Sequence, residues 1–371
     1  KNKNYSAAEK IYLEILDDNS NHPDANHNLS ILLIEQNKID KAERYIINCI
    51  ESEFAIAQYF LTASKFFSIK SDFKKALLMA NKSIQVSKND EKIKCFYQKA
   101  TVLKALGDND ESLVYFKRCL DIDPKNPIVL NSYGVGLCQK EKFIESIPYF
   151  TSALEYKPDF FDSNINLGLA YQKTNKAVEA LKFYEKAKSI NPNHHMLNIN
   201  IGSMYQQLRK PEKALYYYNI AQQIEPNFPE IYNNIGIVYG ETGKKKKAYE
   251  FYRKALELDP NYTKAFRHIA LTKLLKINDP IVKKMEHLYC SSNISETDKI
   301  EIAFGLGTIY EFNKQYNDAF RYFDEGNKLI RKNLNYDIER VIKNIKQMYN
   351  FFPSNLSIKK KSQFTPIFIL G

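Results

Sequence analysis

The chain has 371 residues, which is enough for two domains or for one extended repeat array. Hydrophobic residues make up 44% of it, which excludes global disorder, and only 12 glycines and 13 prolines are present, which argues against a turn-rich β-sandwich or barrel. The net charge is +11, and the basic excess is largest in residues 263–371, which would suit an anionic ligand. A compositional bias toward Lys, Asn, Ile and Tyr is the alternative explanation.

No apolar run approaches the roughly 20 residues needed to cross a bilayer, so we expect no membrane partner. The five cysteines are widely spaced and form no CxxC pair, which is typical of reduced, mostly buried thiols in a cytoplasmic protein. The chain begins at Lys1 rather than Met, so the question of a targeting signal upstream of it stays open. No HExxH motif is present, and we expect no metal site.

Residues 1–22 contain a single amphipathic helix, and a repeat with a step of 34 residues then organises the chain. A fixed step of this length predicts repeated supersecondary units rather than one globular core. Four columns of residues share the step: prolines (Pro124, Pro158, Pro192, Pro226, Pro260), glycines (Gly134, Gly168, Gly202, Gly236), aromatics (Phe150, Tyr184, Tyr218, Tyr252) and alanines (Ala153, Ala187, Ala221, Ala255).

Residues 229–262 show the repeated unit most plainly. One apolar helix face contains Gly236, a second contains Ala248 and Tyr252, and Pro260 ends the unit. This pattern resembles the tetratricopeptide repeat (TPR) family, whose units pair a helix A with an antiparallel helix B. The resemblance implies an all-α fold, a TPR superhelix of antiparallel helix pairs, with small residues where the two helices of a unit cross closely.

Units that begin at residues 23, 57, 93, 127, 161, 195 and 229 complete a predicted array over residues 1–262, which starts with a partial repeat. The next region, 263–352, is predicted to begin with a degenerate repeat whose two helices cover about 263–277 and 281–291. A final TPR-like repeat is predicted at 300–333, and a C-terminal helix at about 336–352 is predicted to cap the array.

Residues 353–371 combine a polar linker with an apolar segment that predicts a short orphan strand. A broken repeat, a final repeat ending in Tyr316–Arg331, a helix beginning with Tyr336-Asp337 and the strand Pro366–Gly371 follow one another as in bacterial TPR-sulfotransferases, which the chain resembles. The resemblance implies that this strand is the first of a sulfotransferase-like domain. A loop of approximate sequence M-P-R-S-G-T, which binds the sulfate donor PAPS through backbone N–H groups, would follow Gly371.

Asn28, Asn166, Asn200 and Asn234 occupy one position of helix A in their units. We predict that they face the concave groove and bind a peptide, because an amide side chain both donates and accepts and can pair with an extended backbone. The arrangement resembles the asparagine ladder of the O-linked N-acetylglucosamine transferase TPR domain; the abundance of asparagine is the alternative explanation. No Lys and Asn stand four residues apart at groove positions, so capture of a peptide C-terminal carboxylate, known from other TPR domains, is not expected.

Other candidate sites have simpler explanations. The segment Gly240–Lys245 faintly matches a P-loop, but Lys245 stands where Ser or Thr is required, and we expect a turn between helices A and B. His194 and His195 are expected to be solvated loop residues. The 26 tyrosines and 23 phenylalanines fall mostly at interior repeat positions, which favours core packing over stacking on nucleic acid.

The sequence therefore predicts a scaffold that holds a protein or peptide in its groove and supplies no catalytic residue. We expect the acceptor-recognition arm of a PAPS-dependent sulfotransferase. A non-catalytic TPR adaptor for protein assembly and the TPR arm of a glycosyltransferase are the alternatives. No nucleic-acid partner is expected, and whether the full-length protein is an enzyme stays open.

Overall fold

The computed structural model describes residues 5–333 and residue 342. All the regular secondary structure of these residues is helical, so the all-α prediction is confirmed. The predicted capping helix at 336–352 lies, apart from residue 342, outside the described residues, and the predicted strand and Gly371 lie outside them entirely.

Two compact units are present, the first ending at Val238 and the second beginning at Tyr239. The helices that begin in the first unit are α1 (Tyr5–Asp18), α2 (Pro23–Glu35), α3 (Ile39–Ile50), α4 (Ala57–Ile69), α5 (Phe73–Val86), α6 (Lys92–Ala105), α7 (Asn109–Ile122), α8 (Pro127–Gln139), α9 (Phe143–Tyr156), α10 (Phe161–Lys173), α11 (Ala177–Ile190), α12 (His195–Gln207), α13 (Pro211–Ile224) and α14 (Pro229–Glu241). Those of the second are α15 (Lys245–Leu258), α16 (Thr263–Leu271), α17 (Pro280–Tyr289), α18 (Glu296–Phe312) and α19 (Tyr316–Asn333).

In the first unit the even-numbered helices from α2 to α12 are helices A and each packs against the following helix B. Helix B of one repeat also contacts helix A of the next, as α3 contacts α4 and α5 contacts α6. Helices A of neighbouring repeats touch directly, as α4 touches α6 and α8 touches α10. The helices A therefore form one continuous layer, and a residue that recurs at one position of helix A recurs along that layer.

The glycine column lies where the two helices of a repeat cross. A Cβ atom added at Gly168 would lie 2.5 Å from the ring of Tyr184, which is fully buried on the paired helix B. Gly202 stands in the same relation to Tyr218, at 2.6 Å. Only a residue without a side chain lets the aromatic ring occupy this space, which is why glycine and aromatic columns share one step.

The turns between helices A and B use one residue in the left-handed conformation. Gly107 has φ +85°, while Glu141 and Arg209 occupy the equivalent place with φ near 59° and 58°. In the second unit Gly243, with φ +76°, lies between the end of α14 and the start of α15. The turn predicted at Gly240–Lys245 is thus confirmed.

The second unit contains the irregular part of the chain. The predicted helix at about 263–277 is too long, because α16 ends at Leu271 and Lys273 takes a left-handed φ of 60° that no α-helix can continue through. The other predicted helix corresponds to α17. In the following pair, α18 and α19, a Cβ atom at Gly307 would lie 2.6 Å from the ring of Phe323, which repeats the glycine–aromatic crossing of the first unit.

Candidate functional site

The four predicted asparagines belong to a longer row of polar side chains on the helices A. In every repeat from α2 to α14 the same position holds an amide or a hydroxyl group. We call this set the polar row: Asn28, Thr62, Gln98, Ser132, Asn166, Asn200 and Asn234. Sequence reasoning missed three of its members because it looked for asparagine alone; a search for any polar residue at the repeat step would have found them.

The predicted residues differ in exposure. Asn28 is exposed, whereas Asn166, Asn200 and Asn234 are half-buried in the first unit. Half-burial leaves one side of each amide accessible, which is the condition for binding a ligand from the groove. Their role in binding stays a prediction, because exposure alone does not identify a ligand.

Several members of the polar row bond to the preceding repeat. The Asn166 Nδ2 donates to Asn131 Oδ1 at 3.0 Å, and the Ser132 hydroxyl lies 3.1 Å from the hydroxyl of Tyr97. A third contact of this kind, at 2.9 Å, joins Thr62 Oγ1 to a ring nitrogen of His27. These three pairs have the same spacing of 35 residues, so the contacts are a repeated feature of how one helix A meets the next.

Asn200 and Asn234 are different. Within residues 5–333 neither side-chain amide has a hydrogen-bond partner. An uncommitted amide at a half-buried position can donate to and accept from a peptide backbone without first breaking an internal bond. The part of the row that is ready to bind a ligand therefore lies toward α12 and α14.

A second set of asparagines on the helices A is structural. Asn164 and Asn198 are fully buried two positions before the row, and each Nδ2 donates to a backbone carbonyl four residues earlier, on Phe160 at 2.9 Å and on His194 at 3.0 Å. These bonds fix the entry of the chain into helix A. At the equivalent place Tyr232 donates its hydroxyl to the carbonyl of Pro226 at 2.8 Å.

A cavity of about 490 Å³ lies on the helix A layer between α4, α6 and the start of α8. We call it the α4–α6–α8 cavity. Its size is within the range of ligand pockets in proteins. Its lining residues include Leu61, Lys65, Ile93, Lys94, Gln98, Ile128 and Val129. Gln98 belongs to the polar row, so the cavity and the row are parts of one surface.

Polar groups in this cavity are held in fixed positions. The Gln98 Nε2 donates to Ser64 Oγ at 3.1 Å, and that hydroxyl donates to the carbonyl of Ala76 at 2.8 Å. Tyr97, also in the wall, is held by its contact with Ser132. Among the described residues Lys65 and Lys94 have no carboxylate partner, and both are exposed. The wall of the cavity therefore presents two free positive charges beside an apolar floor.

His195, the half-buried first residue of α12, is not the solvated loop residue predicted from the sequence, and neither is His194. The His194 ring Nδ1 accepts from the N–H of Leu197 at 3.2 Å and so caps α12, and His22 caps α2 in the same way at 3.3 Å. Burial lowers the pKa of His194, and the neighbouring His195 lowers it further. His27 is buried inside α2, and desolvation likewise lowers its pKa below the ordinary value. Both rings are thus held in the neutral form near pH 7.

Three cysteines of the first unit are buried. Cys49, Cys95 and Cys119 are buried free thiols, and burial raises the pKa of Cys49 and of Cys119 to about 12. Within the part of the chain that the structure describes, no three His, Cys, Asp or Glu side chains are grouped as a metal site would require. Over the same residues no helix combines the length and the apolar character that a bilayer crossing requires.

Comparison with known proteins identifies the repeats. Family profiles described as tetratricopeptide repeat match residues 93–126, 161–194 and 229–262. These are three of the units predicted from the sequence, in the same register. The chain therefore contains tetratricopeptide repeats.

Solved structures show the same fold. A tetratricopeptide repeat protein from Parabacteroides merdae is 14% identical, with a TM-score of 0.52 over 71% of this chain and 99% of that one. PilW, a type IV pilus biogenesis factor, is 18% identical, with a TM-score of 0.52 over 56% of this chain and 96% of its own. No curated protein sequence matches the chain.

Proposed function

We propose that this chain is a peptide-binding scaffold in which an extended segment of a partner protein binds along the helix A layer. The observation that carries the proposal is the α4–α6–α8 cavity, because three successive repeats contribute to it and a member of the polar row lines it. A ligand that contacts three helices A in succession must be elongated. A peptide backbone, with its alternating donors and acceptors, matches a row of amides and hydroxyls.

The energy available from such a row is modest for each contact. A hydrogen bond contributes about 0.5–1.5 kcal/mol, so several must form together before binding is useful. Asn200 and Asn234 offer uncommitted amides for this purpose. Leu61 and Val129 are already buried, so the apolar surface that the cavity adds comes mainly from Ile93 and Ile128. Its burial adds about 25 cal/mol for each Å² removed from water.

The more specific proposal is that the scaffold presents a protein acceptor to a PAPS-dependent sulfotransferase domain in the cytoplasm. What supports it is the resemblance of the final repeat, Tyr316–Arg331, and of the segment Pro366–Gly371 to bacterial TPR-sulfotransferases. The free thiols support the cytoplasmic location. PAPS would bind beyond Gly371, so the residues of this chain would recognise the acceptor. A non-catalytic adaptor is the alternative.

Selection from a library of short random peptides tests the scaffold proposal. We expect the chain to retain peptides whose binding slows amide hydrogen exchange in α4, α6 and α8 more than in the helices B α5, α7 and α9. If no peptide is retained, or if protection is confined to helices B, the proposal is wrong.

Sequencing the gene past Gly371 tests the sulfotransferase proposal. A continuation close to M-P-R-S-G-T followed by a helical pattern supports it, and labelled PAPS should then bind to the full-length protein. A stop codon or an unrelated continuation would leave the adaptor.

A further inference from the structure

We propose that the α4–α6–α8 cavity recognises an acidic and apolar stretch within a partner chain, with an aspartate or glutamate side chain between Lys65 and Lys94. The inference rests on the proposed peptide-binding function and adds the chemistry of the peptide. Apolar side chains on either side of the acid would lie against Ile93 and Ile128.

Charge complementarity carries the choice of ligand. Lys65 lies on α4 and Lys94 on α6, so the two ammonium groups come from neighbouring repeats and flank the same cavity. No Asp or Glu is among the residues that line it. Two like charges beside one cavity repel each other, and a carboxylate between them adds two attractions that outweigh that repulsion.

Two nearby lysines differ from Lys65 and Lys94 in having an acid of this chain beside them. Lys70, at the end of α4, lies 2.7 Å from the Glu43 carboxylate, and Lys99, on α6, lies 3.4 Å from Glu111 and donates to the Tyr115 hydroxyl at 2.9 Å. Within the described residues Lys92 and Lys104 of α6 also lack an internal acid but do not line the cavity, so what distinguishes Lys65 and Lys94 is that both flank it.

The dimensions of the cavity favour an internal segment over a chain terminus. Packed helices lie about 8–10 Å apart, so three successive helices A span about 16–20 Å. An extended peptide advances about 3.3 Å per residue, so five or six residues would cross this distance. Lining residues continue on both sides of the two lysines, from Gln58 on α4 to Val129 on α8, so the segment can enter at one side and leave at the other.

Fluorescence anisotropy with end-capped peptides tests the inference. The probe is a labelled peptide of alternating Asp and Leu, acetylated and amidated so that its only carboxylates are side chains; the reference probe has Asn in place of every Asp. We expect the Asp/Leu peptide to bind at least about tenfold more tightly than the Asn/Leu peptide. Its affinity should fall as salt is raised, because exposed charges are screened.

Matched double variants locate the site. Lys65→Gln/Lys94→Gln should weaken Asp/Leu binding about tenfold, because each exposed charge pair is worth about a factor of two to five. Lys117→Gln/Lys186→Gln removes the same charge from exposed positions on the helices B α7 and α11, and should change the affinity less than twofold. Circular dichroism of both variants should match that of the wild type.

The possible outcomes distinguish this inference from the peptide-binding function on which it rests. Equal weakening by the two double variants would mean a general charge effect and would overturn the inference. Equal binding of the Asp/Leu and Asn/Leu peptides would also overturn it, yet would leave the peptide-binding function intact. Tighter binding of an Asp/Leu peptide with a free C-terminus, lost on amidation, would assign the lysines to a terminal carboxylate instead.

Discussion

Asn166 donates its amide to Asn131, 35 residues earlier, across the junction between two repeats. Asn166 is a predicted ligand-binding residue, and this bond already occupies one hydrogen of its side-chain amide. A peptide that competes for the same hydrogen of Asn166 must first break an internal bond of 3.0 Å, whereas Asn200 and Asn234 carry no such cost within the described residues. The members of the polar row therefore differ in whether a peptide must break an internal hydrogen bond to bind them, and the difference can be measured as a change in affinity.

The double variant Asn200→Ala/Asn234→Ala should bind a library-selected peptide about tenfold or more weakly, because two hydrogen bonds of about 0.5–1.5 kcal/mol each are lost. Calorimetric titration measures this, and the thermal midpoint should stay within a few degrees of the wild type. Asn131→Ala is the matched control. It frees the amide of Asn166, so affinity should be unchanged or higher; a loss as large as that of the double variant would contradict the assignment.

The glycine–aromatic crossing predicts a large effect from one methyl group. Gly168→Ala should destabilise the fold by about 1–3 kcal/mol, because the new Cβ would lie 2.5 Å from the buried ring of Tyr184, whose hydroxyl is held by Gln172. Urea unfolding measures the change. Gly240→Ala provides the contrast: its Cβ would find no atom closer than 3.5 Å, and alanine favours helix, so stability should rise by about 0.5–1 kcal/mol.

The turn at Gly107 predicts a purely conformational effect. No heavy atom would lie within 4 Å of an added Cβ, so Gly107→Ala should destabilise only through its left-handed φ of +85°, by about 1 kcal/mol in urea unfolding. Gly107→Asn should recover part of that loss, since asparagine tolerates this conformation. No loss in either variant would show that the turn does not need a left-handed residue.

The buried His268 should make the folded protein less stable at acidic pH. Burial, helped by Arg267 and Lys264, lowers its pKa from 6.5 to about 4. The unfolded chain therefore binds more protons between pH 6.5 and pH 4, and stability that is complete above pH 6.5 is lost as the pH falls through this window, by an amount on the order of 3 kcal/mol.

His268→Phe should keep the ring contact with Tyr252, whose centroid is 5.6 Å away, and remove the titration. The comparison is the difference in unfolding free energy between pH 7.5 and pH 4.5, measured in urea for both proteins. The variant should lose less stability than the wild type. Parallel loss in the two proteins would show that other groups dominate.

The fold could be predicted from the sequence because each repeat contains the residues that mark its helix ends and its helix crossing. The prolines end helices, and the glycine column marks the close crossings, so the units at 93–126, 161–194 and 229–262 were placed in the correct register. The helix from residue 263 was predicted too long because nothing in its composition shows that Lys273 adopts a left-handed conformation.

The candidate site was only partly predictable, for a geometric reason. A column of asparagines can be found within a repeat, but the partner of Asn166 lies in the repeat before it, one position out of register. Lys65 and Lys94 could not be singled out at all, because they become neighbours of one cavity only when α4, α6 and α8 pack side by side. Contacts within a repeat follow from its sequence; contacts between repeats depend on how the repeats stack.

The buried cysteines give the first unit a set of natural chemical reporters. Cys49 lies on α3, Cys95 on α6 and Cys119 on α7, and each is shielded from solvent and has a raised pKa, so none can react while its helix is in place. Their alkylation rates therefore measure how often each segment opens locally. Because Cys95 lies on α6, which lines the cavity, and Cys49 lies on α3, which does not, a bound peptide should slow alkylation of Cys95 more than that of Cys49, without any engineered label.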